Sequence, residues 1–228
     1  MSEAMNSVTY DRPERLSHPD DTLRQIVRDA SAALEMQVFL TNGSVARFVQ
    51  PDRKAAANLI ARIHPHRLFS QPQLLLKSGR TVNVFPTHVI EQIVLLCDEV
   101  PVWPLPEAVR DVIEVSPIDT SAGDDGPGLP RRVRIHNLRP TDLYGEYEMQ
   151  SGRTLLLRVT PAPTGRDAAL PIDHELMLSH LFRYPALTGR REEGGVFLLN
   201  PAAIVRFTAF PAPPLAPTAA LPAGYYCG

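Results

Sequence analysis

The chain echoes itself, and a repeat constrains architecture before any single element does. Asn42-Gly43 sits between two apolar runs, and so does Ser151-Gly152. Leu68-Phe69-Ser70-Gln71-Pro72 is matched by Leu181-Phe182-Arg183-Tyr184-Pro185. Val82-Asn83-Val84 leads into Pro86 and Ile90, as Val196-Phe197-Leu198 leads into Pro201 and Ile204. The markers keep their order at a nearly constant offset, which predicts two copies of one small β-rich unit. A competing register matches Arg62-Ile63-His64 with Arg134-Ile135-His136, and Ser78-Gly79-Arg80-Thr81 with Ser151-Gly152-Arg153-Thr154. The first register is preferred because its markers span the whole of each half.

Local patterns fill in these units. Residues 1–19 are polar and aperiodic and read as a disordered lead. Asp20 and Asp21 can cap a helix whose stripe is Leu23, Ile26, Val27, Ala30 and Leu34. Gln37–Thr41 and Ser44–Val49 flank Asn42-Gly43, a turn pair suited to a tight hairpin. Asp52 opens a helix through Ile63, which Pro65 stops by disfavouring helical geometry at His64. Leu74–Lys77 and Arg80–Phe85 form a second hairpin, and Val89–Leu96 a further strand. A helical turn is expected at Glu107–Ile113, inside a Pro/Gly-rich linker spanning 98–130. The second unit then contains a strand at Val133–His136 and a hairpin over Gly145–Thr160. A short helix from Asp173 to Phe182 follows, then strands at Val196–Leu199 and Ile204–Phe210. The fold class is therefore mainly β with short helices (α+β), as two barrel-like units. Their bounds are 20–97 and 131–210, followed by an Ala/Pro-rich tail, 211–228.

Chemistry is less legible than architecture. The formal net charge of −2 speaks against gripping nucleic acid by bulk charge. Lys54 and Lys77 are the only lysines, so the basic residues are nearly all Arg. Arg suits phosphate and base contacts, but the accompanying Ala and Pro bias also matches a GC-rich bacterial genome. Cys97 and Cys227 suggest no disulfide framework. No secretory signal opens the chain, and no run reaches the roughly 18 apolar residues of a membrane helix, so a soluble cytoplasmic protein is expected.

His174-Glu175 with His180 misses the i, i+4 spacing of a zinc helix. His64-Pro65-His66 lacks a nearby third ligand. No nucleophile elbow, phosphate loop or Cys-x-x-Cys occurs, and Asp124-Asp125 and Glu192-Glu193 read as solvated loop carboxylates. No catalytic residue, metal or cofactor is assigned. In Arg131-Arg132-Val133-Arg134, Arg132 and Arg134 share one side of a strand and could bracket a phosphate. The reading preferred over this is a charged edge strand that discourages sheet-to-sheet pairing.

The helix followed by Val38-Phe39-Leu40-Thr41-Asn42-Gly43 resembles the opening of Sm-like proteins, especially the bacterial Sm-like RNA chaperone. Thr81-Val82-Asn83-Val84-Phe85-Pro86-Thr87-His88-Val89-Ile90 is similar to that family's second motif. Over about residues 21–97 the resemblance implies a bent β-barrel, edge-to-edge ring assembly and single-stranded RNA binding, with His88 as the base-contacting residue. Thr87 stands where the family has Lys, and the second half has no His at the matching place.

The leading expectation is a non-enzymatic binding or assembly protein, recruiting a protein partner or copies of itself at sheet edges. The apolar stretch around Trp103 is a candidate docking segment, or a piece of its own domain's core. The alternative is an Sm-like RNA binder using His88, Arg80 and Arg67 on one face. A third reading is an enzyme with a pocket gathering His64, His66 and a carboxylate.

Overall fold

Asn42-Gly43 closes the first hairpin because glycine tolerates the left-handed backbone the turn requires: Gly43 has φ 80° and Asn42 Oδ1 accepts from Ser44 N at 3.0 Å. The computed structural model describes residues 32–97, 100–105, 109–115, 142–161 and 182–210. The hairpin pairs β1 (Leu34–Leu40) with β2 (Val45–Gln50). Leu34, expected on the helical stripe, starts β1 instead; the remainder of that stripe lies outside the described residues. Asp52 caps α1 (Arg53–Arg62), accepting from Ala55 N at 2.6 Å. His64 is extended, as the following proline dictates, and Pro65 opens the short α2 (Pro65–Leu68). The second hairpin joins β3 (Gln73–Ser78) to β4 (Thr81–Pro86). A 3₁₀ turn, Thr87–Val89, then leads into β5 (Ile90–Cys97), which pairs back onto β1.

The expected helical turn at Glu107–Ile113 is corrected to β6 (Val109–Val115). Val109, Val112, Ile113 and Val115 favour an extended chain, and β6 gains partners on both sides, antiparallel β8 and parallel β9. The segment read as linker thus contributes a strand to the sheet. The expected Val133–His136 strand and most of the Asp173–Phe182 helix lie outside the described residues; Phe182 itself is in a turn.

The second half has β7 (Leu143–Met149), β8 (Thr154–Pro161), β9 (Leu187–Arg191), β10 (Val196–Leu199), a 3₁₀ turn at Pro201–Ala203, and β11 (Ile204–Phe210). Among the described residues nine strands form one sheet in the order β11-β7-β8-β6-β9-β10-β5-β1-β2, while β3-β4 forms a separate pair. The fold is β-rich as expected, but these sheets are not closed into barrels.

Two cores lie either side of the β5-β10 pair. One gathers Leu34, Met36, Val38 and Ala56; the other gathers Leu143, Tyr147, Leu155 and Leu157. β5 and β10 serve both. Ile93, Leu95, Val196 and Leu198 enter the first core, while Val94, Leu96, Phe197 and Leu199 enter the second. Alternation along each strand sends neighbours to opposite faces, so both strands are apolar throughout their paired length except at Gln92.

Gly195 tests this central joint. It has φ 81°, and a Cβ there would lie 2.4 Å from the Leu95 carbonyl oxygen. A Cβ on Gly43 would meet nothing within 4 Å. Gly43→Ala should therefore cost about 1 kcal/mol, for backbone conformation alone. Gly195→Ala should cost about 3 kcal/mol or more, because backbone must move as well. Denaturant midpoints of the two variants check this order.

Candidate functional site

The joint between the halves carries a polar junction beside the apolar ladder. Glu91, at the start of β5, is almost fully buried. Its carboxylate accepts from Ser151 N at 2.6 Å and from Ser151 Oγ at 2.8 Å, so the β7-β8 turn is fastened to β5. The same turn delivers Arg153, whose guanidinium lies 4.0 Å over the Phe39 ring of β1. Arg153 as a residue is only half-buried, yet its Nε and Nη2 are shielded from solvent and have no hydrogen-bond partner. Burial pulls its pKa down, while Glu114 and Glu91 push it up and Arg191 adds to the lowering. Glu114 of β6 accepts from Gln92 Nε2 at 3.0 Å and stands 3.4 Å from Arg191 Nε.

Asn200 completes the joint. Its backbone N donates to Glu91 O at 2.8 Å, and its Nδ2 donates to Ile90 O at 2.8 Å and Thr87 O at 3.3 Å. Its Oδ1 accepts from Ala202 N at 3.1 Å, capping the second 3₁₀ turn. One asparagine thus ties the end of β10 to the 3₁₀ turn of the first half.

Two other strands have an open edge among the described residues. There β4 pairs only with β3, and β11 only with β7. β4 exposes Val82 (59%) and Val84 (52%), whereas Val196 and Leu198 on β10 are 2% and 0% exposed. Every residue of β5 from Ile90 to Leu96 is buried, whereas no residue of β11 from Ile204 to Ala209 is. Val205 is 63% exposed, and the half-exposed Phe182 packs edge-on against Phe207 at 6.1 Å. Among the described residues the outer edge of β2 is also unpaired in the sheet, but α1 packs on that strand and Phe48 meets Phe85 edge-on.

The residues singled out in the sequence are scattered. His88 is exposed in the first 3₁₀ turn, and Arg67 is exposed on α2. These two share one rim: Gln71 N donates to Arg67 O, and the Thr87 hydroxyl donates to Gln71 O. Arg80 lies at the other end of β4, about 20 Å away at the rise of an extended strand. Arg132 and Arg134 lie outside the described residues. Trp103 is half-buried against the first core, the second of the two roles weighed for it. His64 and His66 are exposed, and among the described residues no group of three His, Cys, Asp or Glu could hold a metal ion. No helix among them is long and apolar enough to cross a membrane. Sequence reasoning missed Glu91, Arg153 and Asn200. The one signal available was a charged residue beside an otherwise apolar strand, Ile90-Glu91-Gln92-Ile93.

The chain matches no family model, no curated protein and no solved structure.

Removing the Glu91 carboxylate would strand Ser151 N and leave Arg153 with less countercharge. Glu91→Ala should cost about 3 kcal/mol, and Glu91→Gln, which keeps an acceptor, about half of that. Adding Arg153→Met to Glu91→Leu should recover much of the loss. A double-mutant cycle by chemical denaturation reads the coupling; additive costs would show that the two residues act independently.

Proposed function

We propose that this chain is a cytoplasmic, non-enzymatic binding and assembly protein made of two copies of one β-rich unit, and that it works by strand pairing at open sheet edges. The observation that carries this reading is the β5-β10 ladder, in which one half of the chain already binds the other edge to edge. Three further features support the duplication. Each half has a hairpin, a second hairpin, a 3₁₀ turn and a strand that returns to the first. The blocks β5-β1-β2 and β11-β7-β8 have the same internal order. The closing hydrogen bonds also correspond: Thr41 N to Val89 O at 2.9 Å and Gln150 N to Ala203 O at 3.0 Å. Pairing inside the chain also supports the edge-to-edge assembly that the Sm-like resemblance implies.

Hydrogen exchange tests the edge reading. The β3-β4 turn closes on the Ser78–Thr81 pair, so alternation turns the amides of Val82 and Val84 away from β3. In dilute protein these amides should exchange quickly while those of Val196 and Leu198 are protected. They should slow when a partner strand is bound. Strong protection in dilute protein would mean the edge is already covered and would refute the reading.

A second reading, binding of single-stranded RNA, is favoured by His88 standing exposed on the same rim as Arg67. If His88 stacks on or bonds to a base, His88→Ala should weaken binding of a short RNA about tenfold at fixed salt. Fluorescence anisotropy measures this, and unchanged affinity would remove the assignment.

A further inference from the structure

We propose that the partner at these edges is a second copy of this chain, with β4 of one copy pairing antiparallel with β11 of the next. The proposal rests on the strand-edge reading above and adds the partner's identity and the register. Among the described residues the chain contains one complete joint, β5-β10, and two strands, β4 and β11, that each have an edge without a partner. Matched through the two 3₁₀ turns, β4 corresponds to β10 and β11 to β5. In the completed joint Val196 lies opposite Leu95, Phe197 opposite Val94, Leu198 opposite Ile93, and Leu199 opposite Gln92. Carrying this register across places Val82 opposite Ala209, Asn83 opposite Thr208, Val84 opposite Phe207, and Phe85 opposite Arg206 of the neighbouring copy.

The side chains agree with the transfer. On β10, Phe197 and Leu199 pack in the core of their own half, while Val196 and Leu198 enter the core of the other. On β4, Phe85 already packs against the core of its own half. Val82 and Val84, the counterparts of Val196 and Leu198, have no second core to enter and stay exposed. The receiving surface is present at the other end of the molecule, where Phe207 and Ala209 cover the second core only in part and Val205 and Phe182 are exposed. Apolar side chains left out on one edge and an incompletely covered core beside another are complementary requirements, and a second copy meets both.

Each copy offers one β4 and one β11, so the contact is heterologous and repeats; it gives a ring if the rotation closes and a filament if it does not. It is also weaker than the internal joint. Pro86 stands where Asn200 donates to Glu91 O, and proline has no N–H to give. Val205 replaces Glu91 and Asn42 replaces Ser151, so no buried carboxylate fastens a neighbouring turn. The expected assembly is therefore reversible.

Sedimentation velocity of the full chain over a wide micromolar range should show concentration-dependent association. Val82→Lys with Val84→Lys should raise the dissociation constant about a hundredfold or more without lowering the thermal midpoint, since both side chains are exposed in the single copy. In a background of Cys97→Ala and Cys227→Ala, Asn83→Cys with Thr208→Cys should form disulfides between copies on mild oxidation. Asn83→Cys with Arg206→Cys should not. Association with cross-linking only in the second pair would overturn the proposed register. A chain that stays monomeric with fast-exchanging Val82 and Val84 amides would overturn self-pairing and leave the edge for a different strand. A monomer with those amides protected would overturn both readings. If the cysteine variants do not fold, the lysine variant decides: association unchanged by it overturns the proposal.

Discussion

The pairing of β10 with β5 is the contact on which the rest of the molecule depends. Neither strand belongs to a single core. Each sends alternate side chains into the core of its own half and that of the other, so the pair is both the wall between the two cores and a part of each. Removing β10 would open the first core at Val196 and Leu198; removing β5 would open the second at Val94 and Leu96. Burial of both faces explains why these strands read as nearly unbroken apolar runs, whereas strands with one solvated face alternate. It also explains why a Gly with positive φ is needed at 195, where the turn into β10 comes too close to Leu95 O to admit a Cβ.

A purely apolar ladder of period two can slip, because a shift of two residues preserves the faces. The polar groups around the joint remove that freedom. Glu91 accepts two hydrogen bonds from Ser151, and Asn200 satisfies backbone groups of Thr87, Ile90 and Glu91. Each would be left buried and unsatisfied by a slip, at roughly 1–3 kcal/mol per group. The ladder supplies the burial, and the junction supplies the register.

How much of this could be read beforehand follows from the range of each interaction. The hairpins at Asn42-Gly43 and Ser151-Gly152 were legible because the turn residues themselves dictate the conformation; the second hairpin was legible too, but its turn is Gly79-Arg80, one residue beyond the expected Ser78-Gly79. So was α1, from Asp52 to the stop imposed by Pro65. β6 was misread because its charged and apolar residues fit either period over seven residues; only pairing with β8 and β9, distant in sequence, decides it. β9 was not seen, since Leu187-Thr188-Gly189-Arg190 carries little intrinsic preference and owes its form to its neighbours. The barrel-like units were expected from each half alone, and the nine-stranded open sheet arises from contacts between halves. Glu91 and Arg153 lie 62 positions apart, so nothing local to either announces their meeting. Of the candidate site residues, Arg67 and His88 share a rim, but Arg80 is held off by the length of β4.

The internal joint and the joint proposed between copies differ in ways that follow from single residues. Asn200 and Glu91 lock the internal joint, while Pro86 and Val205, their counterparts under the proposed duplication, can supply neither an N–H nor a carboxylate. Proline at a strand end is also a common device against indiscriminate edge pairing. The outer edges therefore combine apolar side chains that favour contact with a missing hydrogen bond that limits it. A chain selected only to remain monomeric would place charge at Val82 and Val84, and a chain locked permanently to its neighbour would keep Asn at 86. Having neither fits the reversible contact proposed for these edges.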